Sequence, residues 1–91
     1  MEHSLLSIGF GCNIAANRVV GIMSPNSQPM KRVKDEAKKS RQLIDATYGR
    51  RTRAIIITDS NHVFLSAILA ETISQRFAAI KGKTEQAPLK T

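Results

Sequence analysis

Three arginines lie within four positions at residues 49–53, which read Gly-Arg-Arg-Thr-Arg, and this segment contains no lysine. We call it the arginine loop. A guanidinium group offers a planar fork of N–H donors that matches phosphate oxygens or the edge of a guanine base. Gly49 allows the backbone to turn sharply beneath these side chains. The pattern predicts a loop that binds nucleic acid, most simply duplex DNA, with an ordinary solvated loop neutralised by nearby carboxylates as the open alternative.

Two further residues bear on the same chemistry. Arg18 precedes a predicted strand and would add a guanidinium to the same surface if the first connection of the chain lies beside the arginine loop; an ordinary surface arginine is the alternative. Asp45 has apolar neighbours and is expected to orient the loop by hydrogen bonding rather than to act as a base. Strand alternation predicts that Arg51 and Arg53 point to the same side.

The other candidate motifs favour structure over catalysis. Gly9-Phe10-Gly11 lacks the lysine and the following helix of a phosphate-binding loop, so it predicts a bulge or a tight bend. Asp59, Ser60 and His62 are of catalytic types but share one short segment, which predicts a turn. Cys12 is the single cysteine, and no Cys/His ligand set accompanies it. The sequence therefore predicts a protein that is not an enzyme and has no cofactor, metal or small-molecule ligand.

Apolar runs and turn signals predict the elements that position these residues. The predicted strands are residues 5–10, 19–23, 43–47, 53–58 and 63–66, and the predicted helices are residues 27–40 and 69–80. Residues 48–52 form a connection of hairpin length, which predicts that the arginines lie at a hairpin tip within a β-meander. Met30, Val33 and Ala37 share one face of the first helix, whose other faces are basic.

The size of the chain predicts one α+β domain that associates with itself. Its 91 residues are 42% hydrophobic, which is consistent with a single domain over residues 1–80 and a polar, disordered tail over residues 81–91. A lone domain of this size is marginally stable and has no disulfide, so oligomerisation is expected to stabilise it. The continuous run Ile55-Ile56-Ile57 predicts a strand buried on both faces, one against the helices and the other against another subunit.

The net charge of the chain indicates which class of binding partner it favours. Fourteen Lys and Arg against seven Asp and Glu leave a net charge of +7, which favours a polyanion such as nucleic acid. No apolar run reaches the roughly 18 residues of a spanning helix, and Met1-Glu2-His3 lacks the basic start of a signal peptide, so a cytoplasmic, nucleoid-associated protein without a membrane role is expected. The alternatives are a basic scaffold for an acidic protein and an RNA-binding regulator stacking bases on Tyr48 or Phe64, which 4% aromatic content disfavours.

Short motifs follow one another in a fixed order along most of the chain. They are Ile8-Gly9-Phe10-Gly11, Ala16-Asn17-Arg18, Met23-Ser24-Pro25, the uninterrupted block of residues 43–54, and Asp59-Ser60. Over residues 5–77 this pattern resembles the RemA family of bacterial extracellular-matrix regulators. The chain departs from the family pattern at Cys12 and Asn13, and at Ala70, where the last helix usually opens with proline.

The resemblance implies a transcription regulator of biofilm-matrix genes that binds repetitive double-stranded DNA without a standard recognition helix. It also implies a ring-shaped homo-oligomer whose fold is related to LytTR DNA-binding domains. By the same resemblance, Arg18, Arg50 and Arg51 are expected to contact DNA, and Arg53 belongs to the same motif.

Overall fold

A four-stranded mixed sheet lies at the centre of the computed structural model, which describes residues 4–84. The elements in chain order are β1 (Leu5–Gly9), β2 (Cys12–Ala15), a short 3₁₀ helix (Ala16–Arg18), β3 (Val19–Met23), α1 (Gln28–Lys39), β4 (Leu43–Asp45), β5 (Ala54–Thr58), β6 (Val63–Ser66) and α2 (Ala70–Thr84). Strands β1 and β2 form a separate antiparallel hairpin, and the sheet order is β3-β5-β6-β4. The predicted small α+β fold with two helices is confirmed.

The predicted meander is wrong, because β4 and β5 are not neighbours. Strand β4 lies at the edge and pairs in parallel with β6, whereas β5 pairs antiparallel with both β6 and β3. The connection from β4 to β5 therefore passes over the end of β6 and spans about 10 Å, twice the usual strand spacing. A loop of hairpin length is compatible with either arrangement, because its length does not specify which strand lies beside β4. The arginines lie in a crossover and not at a hairpin tip.

Strand β5 is buried on both faces by its own chain. Ile56 is fully buried and packs in a cluster with Leu6, Ile8 and Ile73, which come from the β1–β2 hairpin and α2. Ile55 belongs to a second cluster on the other side of the sheet, against α1. The isoleucine run thus correctly indicates a strand that is buried on both faces. Helix α1, however, covers the face that was expected to pack against another subunit.

Helix α1 follows the sequence prediction closely. Met30, Val33 and Ala37 pack against the second cluster, as the apolar stripe predicts. Ser27 occupies the N-cap position and its carbonyl accepts hydrogen bonds from the N–H groups of Met30 and Lys31, although its side chain makes no capping bond.

Helix α2 begins and ends later than predicted. It starts at Ala70, so Leu69 precedes the helix and is 52% exposed, while Ile73, Phe77 and Ile80 pack against the first cluster. The helix continues to Thr84, four residues past the predicted end at residue 80. The remainder of the predicted polar tail, residues 85–91, lies outside the described residues.

The bend predicted at Gly9-Phe10-Gly11 is confirmed as the tip of the β1–β2 hairpin, although strand β2 itself was not predicted. The register shifts between Ser7 and Gly9, which marks a bulge. Gly9 has a φ of +108°, and a Cβ at this position would lie 3.0 Å from Cγ1 of Ile68. Glycine is therefore required at position 9 by both conformation and space.

Candidate nucleic-acid interface

The arginine loop is fixed at both ends by hydrogen bonds to the carboxyl end of β6. Before the loop, the Ala46 N–H donates to the Leu65 carbonyl at 2.9 Å; at its end, the Arg53 N–H donates to the Ser66 carbonyl at 2.7 Å. Arg50, Arg51 and Arg53 are exposed. Within residues 4–84 none of these three arginines forms an ion pair. The alternative of a loop neutralised by nearby carboxylates is therefore not supported.

Asp45 and Thr47 order the first half of the loop. One carboxylate oxygen of Asp45 accepts the Thr47 hydroxyl at 2.6 Å and the Thr47 N–H at 2.9 Å. The carbonyl of Thr47, a buried residue, then accepts the Arg50 N–H at 3.1 Å. The hydrogen bonds from the Thr47 hydroxyl and backbone, with a smaller contribution from Lys34, hold the pKa of Asp45 below its usual value. Asp45 thus orients the loop by hydrogen bonding, as the sequence predicts.

Two aromatic rings lie beside the arginine loop. The ring centroids of Phe10, at the β1–β2 tip, and Tyr48 are 5.5 Å apart, with a 36° angle between the ring planes. The guanidinium carbon of Arg50 lies 4.4 Å from the centroid of the Phe10 ring, within the range of a cation–π contact. We call Phe10 and Tyr48 the aromatic pair.

The segment after β3 reaches the same end of the sheet. Because β3 runs antiparallel to β5, Met23 lies opposite Ile55 and the following loop comes close to the start of β5. A shallow depression of about 150 Å³ is formed there by Arg51, Thr52, Arg53 and the loop residues Ser24, Pro25 and Asn26. Because Thr52 borders this depression together with Arg51 and Arg53, the alternation expected over residues 51–53 stays a prediction.

Arg18 lies at the other end of the sheet. Its Nε is 3.1 Å from a carboxylate oxygen of Asp59, and its carbonyl accepts the Asp59 N–H at 2.8 Å. Asp59 follows β5 whereas Arg53 precedes it, so the two ends are separated by roughly 20 Å at about 3.3 Å per residue. In a single subunit Arg18 therefore does not join the surface formed by the arginine loop.

The segment that contains catalytic residue types is a turn, as predicted. Ser60 Oγ lies 2.9 Å from Thr58 Oγ1 and 2.8 Å from His62 Nδ1. Asp59 pairs with Arg18 instead of His62, so the three residues do not form a catalytic triad. In the part of the chain that the structure describes, no three His, Cys, Asp or Glu side chains cluster to hold a metal ion, and no helix is long and apolar enough to cross a membrane.

The local sequence does not associate Phe10 or the loop of residues 24–26 with the arginines. One signal in the sequence could have indicated an exposed ring, namely an aromatic residue between two glycines. Glycines lack side chains that could cover a neighbouring ring at a tight bend. Nothing in the local sequence indicates that this bend lies against residues almost forty positions later. The proximity results from the packing of the β1–β2 hairpin on the sheet.

Comparison with known proteins extends these observations. The family model RemA-like, described as extracellular matrix regulatory protein A-like, matches residues 5–77. A protein of Desulfatibacillum aliphaticivorans, named as a candidate regulatory protein, is 62% identical over 82 residues, covering 90% of this chain and 92% of the relative. Similarly named proteins of Thermotoga neapolitana and Syntrophobacter fumaroxidans are 64% and 62% identical, with 82% and 84% of this chain covered, and 82% and 81% of those proteins.

Proposed function

Because this chain belongs to the RemA-like family of regulatory proteins, we propose that it is a DNA-binding transcriptional regulator, not an enzyme, and that its arginine loop contacts duplex DNA. One observation carries the proposal. Arg50, Arg51 and Arg53 are exposed, form no ion pair among the described residues, and project from a loop fixed at both ends. Because its backbone is already ordered, such a loop presents guanidinium groups to phosphates with little backbone entropy left to lose on binding.

The arginine loop is a better DNA contact than helix α1, although that helix is also basic. Helix α1 carries five Lys and Arg residues, but Asp35 and Glu36 lie among them, so a net charge of +3 is spread over its twelve residues. The arginine loop carries the same net charge on five residues, with no acid among them. Recognition therefore does not depend on a helix entering the major groove, in keeping with the family resemblance.

In the proposed mechanism each subunit is a weak DNA-binding unit, and a ring-shaped homo-oligomer repeats the arginine loop around its rim. Avidity then supplies the affinity that one loop lacks. Sequence preference arises from DNA bendability and minor-groove width, into which arginine can insert. Repetitive sites upstream of extracellular-matrix genes are the proposed targets. Arg18 serves as a secondary phosphate contact, about six base pairs from the loop at about 3.4 Å per base pair.

The salt dependence of binding provides a quantitative test. Each phosphate contact contributes about −0.9 to the slope of log K against log salt on B-DNA. With about three contacts from the arginine loop, the slope is about −2.7 for each subunit that engages the duplex. Fluorescence anisotropy of a labelled duplex at several salt concentrations measures it, and light scattering measures the number of subunits.

The decisive variant replaces Arg50 and Arg51 together by Ala. We expect duplex affinity to fall at least about a hundredfold and the slope to lose about 1.8 per engaged subunit, because two phosphate contacts are removed. The matched control replaces Lys31 and Arg32 together by Ala: it removes the same two charges from exposed positions of helix α1 and should leave affinity nearly unchanged. Arg18→Ala should have a smaller effect than the double variant. Wild-type affinity in the double variant, with its oligomeric state intact, would refute the proposal.

The RNA-binding alternative is weakened by one of its two candidate stacking residues. Phe64 is half-buried and packs against the first core cluster, which leaves little of its ring for stacking on a base. Tyr48 is exposed, so competition between a duplex and a single-stranded RNA of equal length separates the two functions. Preference for the duplex is expected.

A further inference from the structure

The four aromatic side chains divide equally between core and surface. Phe64 and Phe77 pack against the first core cluster. Phe10 and Tyr48 remain 42% and 70% exposed, although their rings are in contact with each other. Aromatic rings are large apolar groups that normally stabilise a fold by burial. A contiguous exposed pair surrounded by polar groups is typical of a binding surface.

The backbone holds both rings outward in a disfavoured conformation. Phe10 has a φ of +52° and Tyr48 a φ of +54°, and each is followed by a glycine with positive φ, Gly11 and Gly49. The left-handed region is uncommon for bulky residues and is retained where the surrounding structure determines it. Both loops therefore place an exposed aromatic ring at a left-handed position, which a small polar residue such as Asn would occupy more readily.

The chemistry around the aromatic pair selects one type of ligand. Arg50 covers one face of Phe10, so a positive charge and an apolar surface lie within a few ångströms of each other. Arg51 is exposed nearby in the same loop. A ligand that fits both features must present anionic groups next to flat or apolar ones. A DNA strand does so at every nucleotide, since its phosphates flank sugars and base faces.

We propose that Tyr48, supported by Phe10, acts as an apolar wedge that packs against the sugars and bases at one step of the duplex in the minor groove. The inference rests on the proposed function, in which the neighbouring arginines hold the flanking phosphates. An apolar wedge partly unstacks the base step and bends the DNA. Because pyrimidine–purine steps deform most easily, the wedge favours them and adds sequence preference without a recognition helix.

Tyrosine fluorescence gives a direct test. Tyr48 is the only tyrosine, and the chain has no tryptophan, so the tyrosine emission of the intact protein reports this ring alone. Titration with duplex DNA should quench the emission in parallel with the rise in anisotropy of the labelled duplex, because the ring packs against bases. The same duplex at high salt, where binding is lost, gives the correction for absorption by DNA.

The key variant is Tyr48→Asn, because Asn removes the ring but adopts the left-handed conformation readily, so the loop keeps its shape. We expect about a tenfold loss of duplex affinity, an unchanged salt slope and a smaller DNA bend, measured by energy transfer between dyes on the two duplex ends. Tyr48→Phe should retain wild-type affinity and bend. Leu5→Ala is the control, because Leu5 is also exposed, at 61%, but lies at the other end of the β1–β2 hairpin.

The possible outcomes separate this inference from the function on which it rests. If Tyr48→Asn binds and bends DNA like the wild type while the Arg50/Arg51 double variant loses binding, the wedge is wrong and the arginine-loop proposal stands. If the arginine variants also bind normally, both are wrong. If Tyr48→Asn weakens single-stranded RNA binding more than duplex binding, the ring recognises an unpaired base and the wedge is overturned.

Discussion

Replacing Ser66 by Ala should destabilise the protein far more than a typical serine substitution, because this side chain joins two parts of the fold. Ser66 is fully buried at the end of β6. Its hydroxyl donates to the Ile8 carbonyl at 2.7 Å and accepts the Ile68 N–H at 3.0 Å. Ile8 lies where the β1–β2 register shifts, so Ser66 supplies a hydrogen bond at the position where pairing within the hairpin is interrupted.

The size of the effect follows from the groups left without this partner. Ser66→Ala deprives one buried carbonyl and one partly buried N–H of a hydrogen bond, and each such loss costs about 1–3 kcal/mol. We therefore expect the free energy of unfolding to fall by about 2–6 kcal/mol in total, a large fraction of the roughly 5–15 kcal/mol typical of a folded protein. The melting temperature should fall by at least about 10 °C.

Urea denaturation followed by circular dichroism measures this loss. Wild type and variant must be compared at equal protein concentration, because self-association would make stability depend on concentration. Ser74→Ala is the matched control: it makes the same chemical change at an exposed position of helix α2 and should be neutral or slightly stabilising. A loss below about 0.5 kcal/mol for Ser66→Ala, the usual range for surface changes, would show that these two hydrogen bonds do not hold the hairpin to the sheet.

Three further predictions concern the loops. Thr47→Val keeps the shape of a buried side chain but removes its 2.6 Å hydrogen bond to Asp45, so denaturation should show a loss of about 1–2 kcal/mol; wild-type stability would mean that this bond contributes nothing. The pKa of Asp45 is lowered in the folded protein, so its contribution to folding stability is complete above the ordinary carboxyl pKa and is lost as the pH falls through the lowered value. Acidification should therefore reduce the free energy of unfolding more in the wild type than in Thr47→Val. Parallel plots of that free energy against pH would contradict this. Gly49→Ala introduces backbone strain alone, at a φ of +81°, whereas Gly9→Ala also brings a Cβ to 3.0 Å from Ile68. The melting temperature should therefore fall further for Gly9→Ala. The opposite order would contradict the packing described.

The sequence predicts most elements of this fold but not which strands lie together. Apolar periodicity correctly indicates Met30, Val33 and Ala37 as the buried stripe of α1, because one face of a helix must pack. The pairing partner of β4 is not predictable in this way, because its three residues carry almost no pairing information. Its parallel ladder with β6 also forms between segments that are distant in the chain. Local patterns therefore predict a meander where long-range packing places a crossover.

The same distinction holds for the candidate site. Exposure of Arg50 and Arg51 follows from charge and a neighbouring glycine, which are local properties. The contact of Phe10 with Arg50, and the separation of Arg18 from the arginine loop, depend on how the β1–β2 hairpin and β3 pack on the sheet. The resemblance to a family groups Arg18 with Arg50 and Arg51 but contains no distances, so only the structure shows that they lie at opposite ends of β5.

The hydrogen bonds at the two ends of the arginine loop have a consequence for how this protein can evolve. Ala46 and Arg53 both bind the end of β6 through backbone groups, which any residue except proline can provide at those positions. The exposed arginine side chains between them can therefore change without altering the sheet, whereas Thr47 and Gly49 maintain the shape of the loop. Under the proposed function, DNA preference and folding stability are encoded in largely separate residues, so a duplicated gene could acquire new target sites through substitutions at Arg50, Arg51 and Arg53.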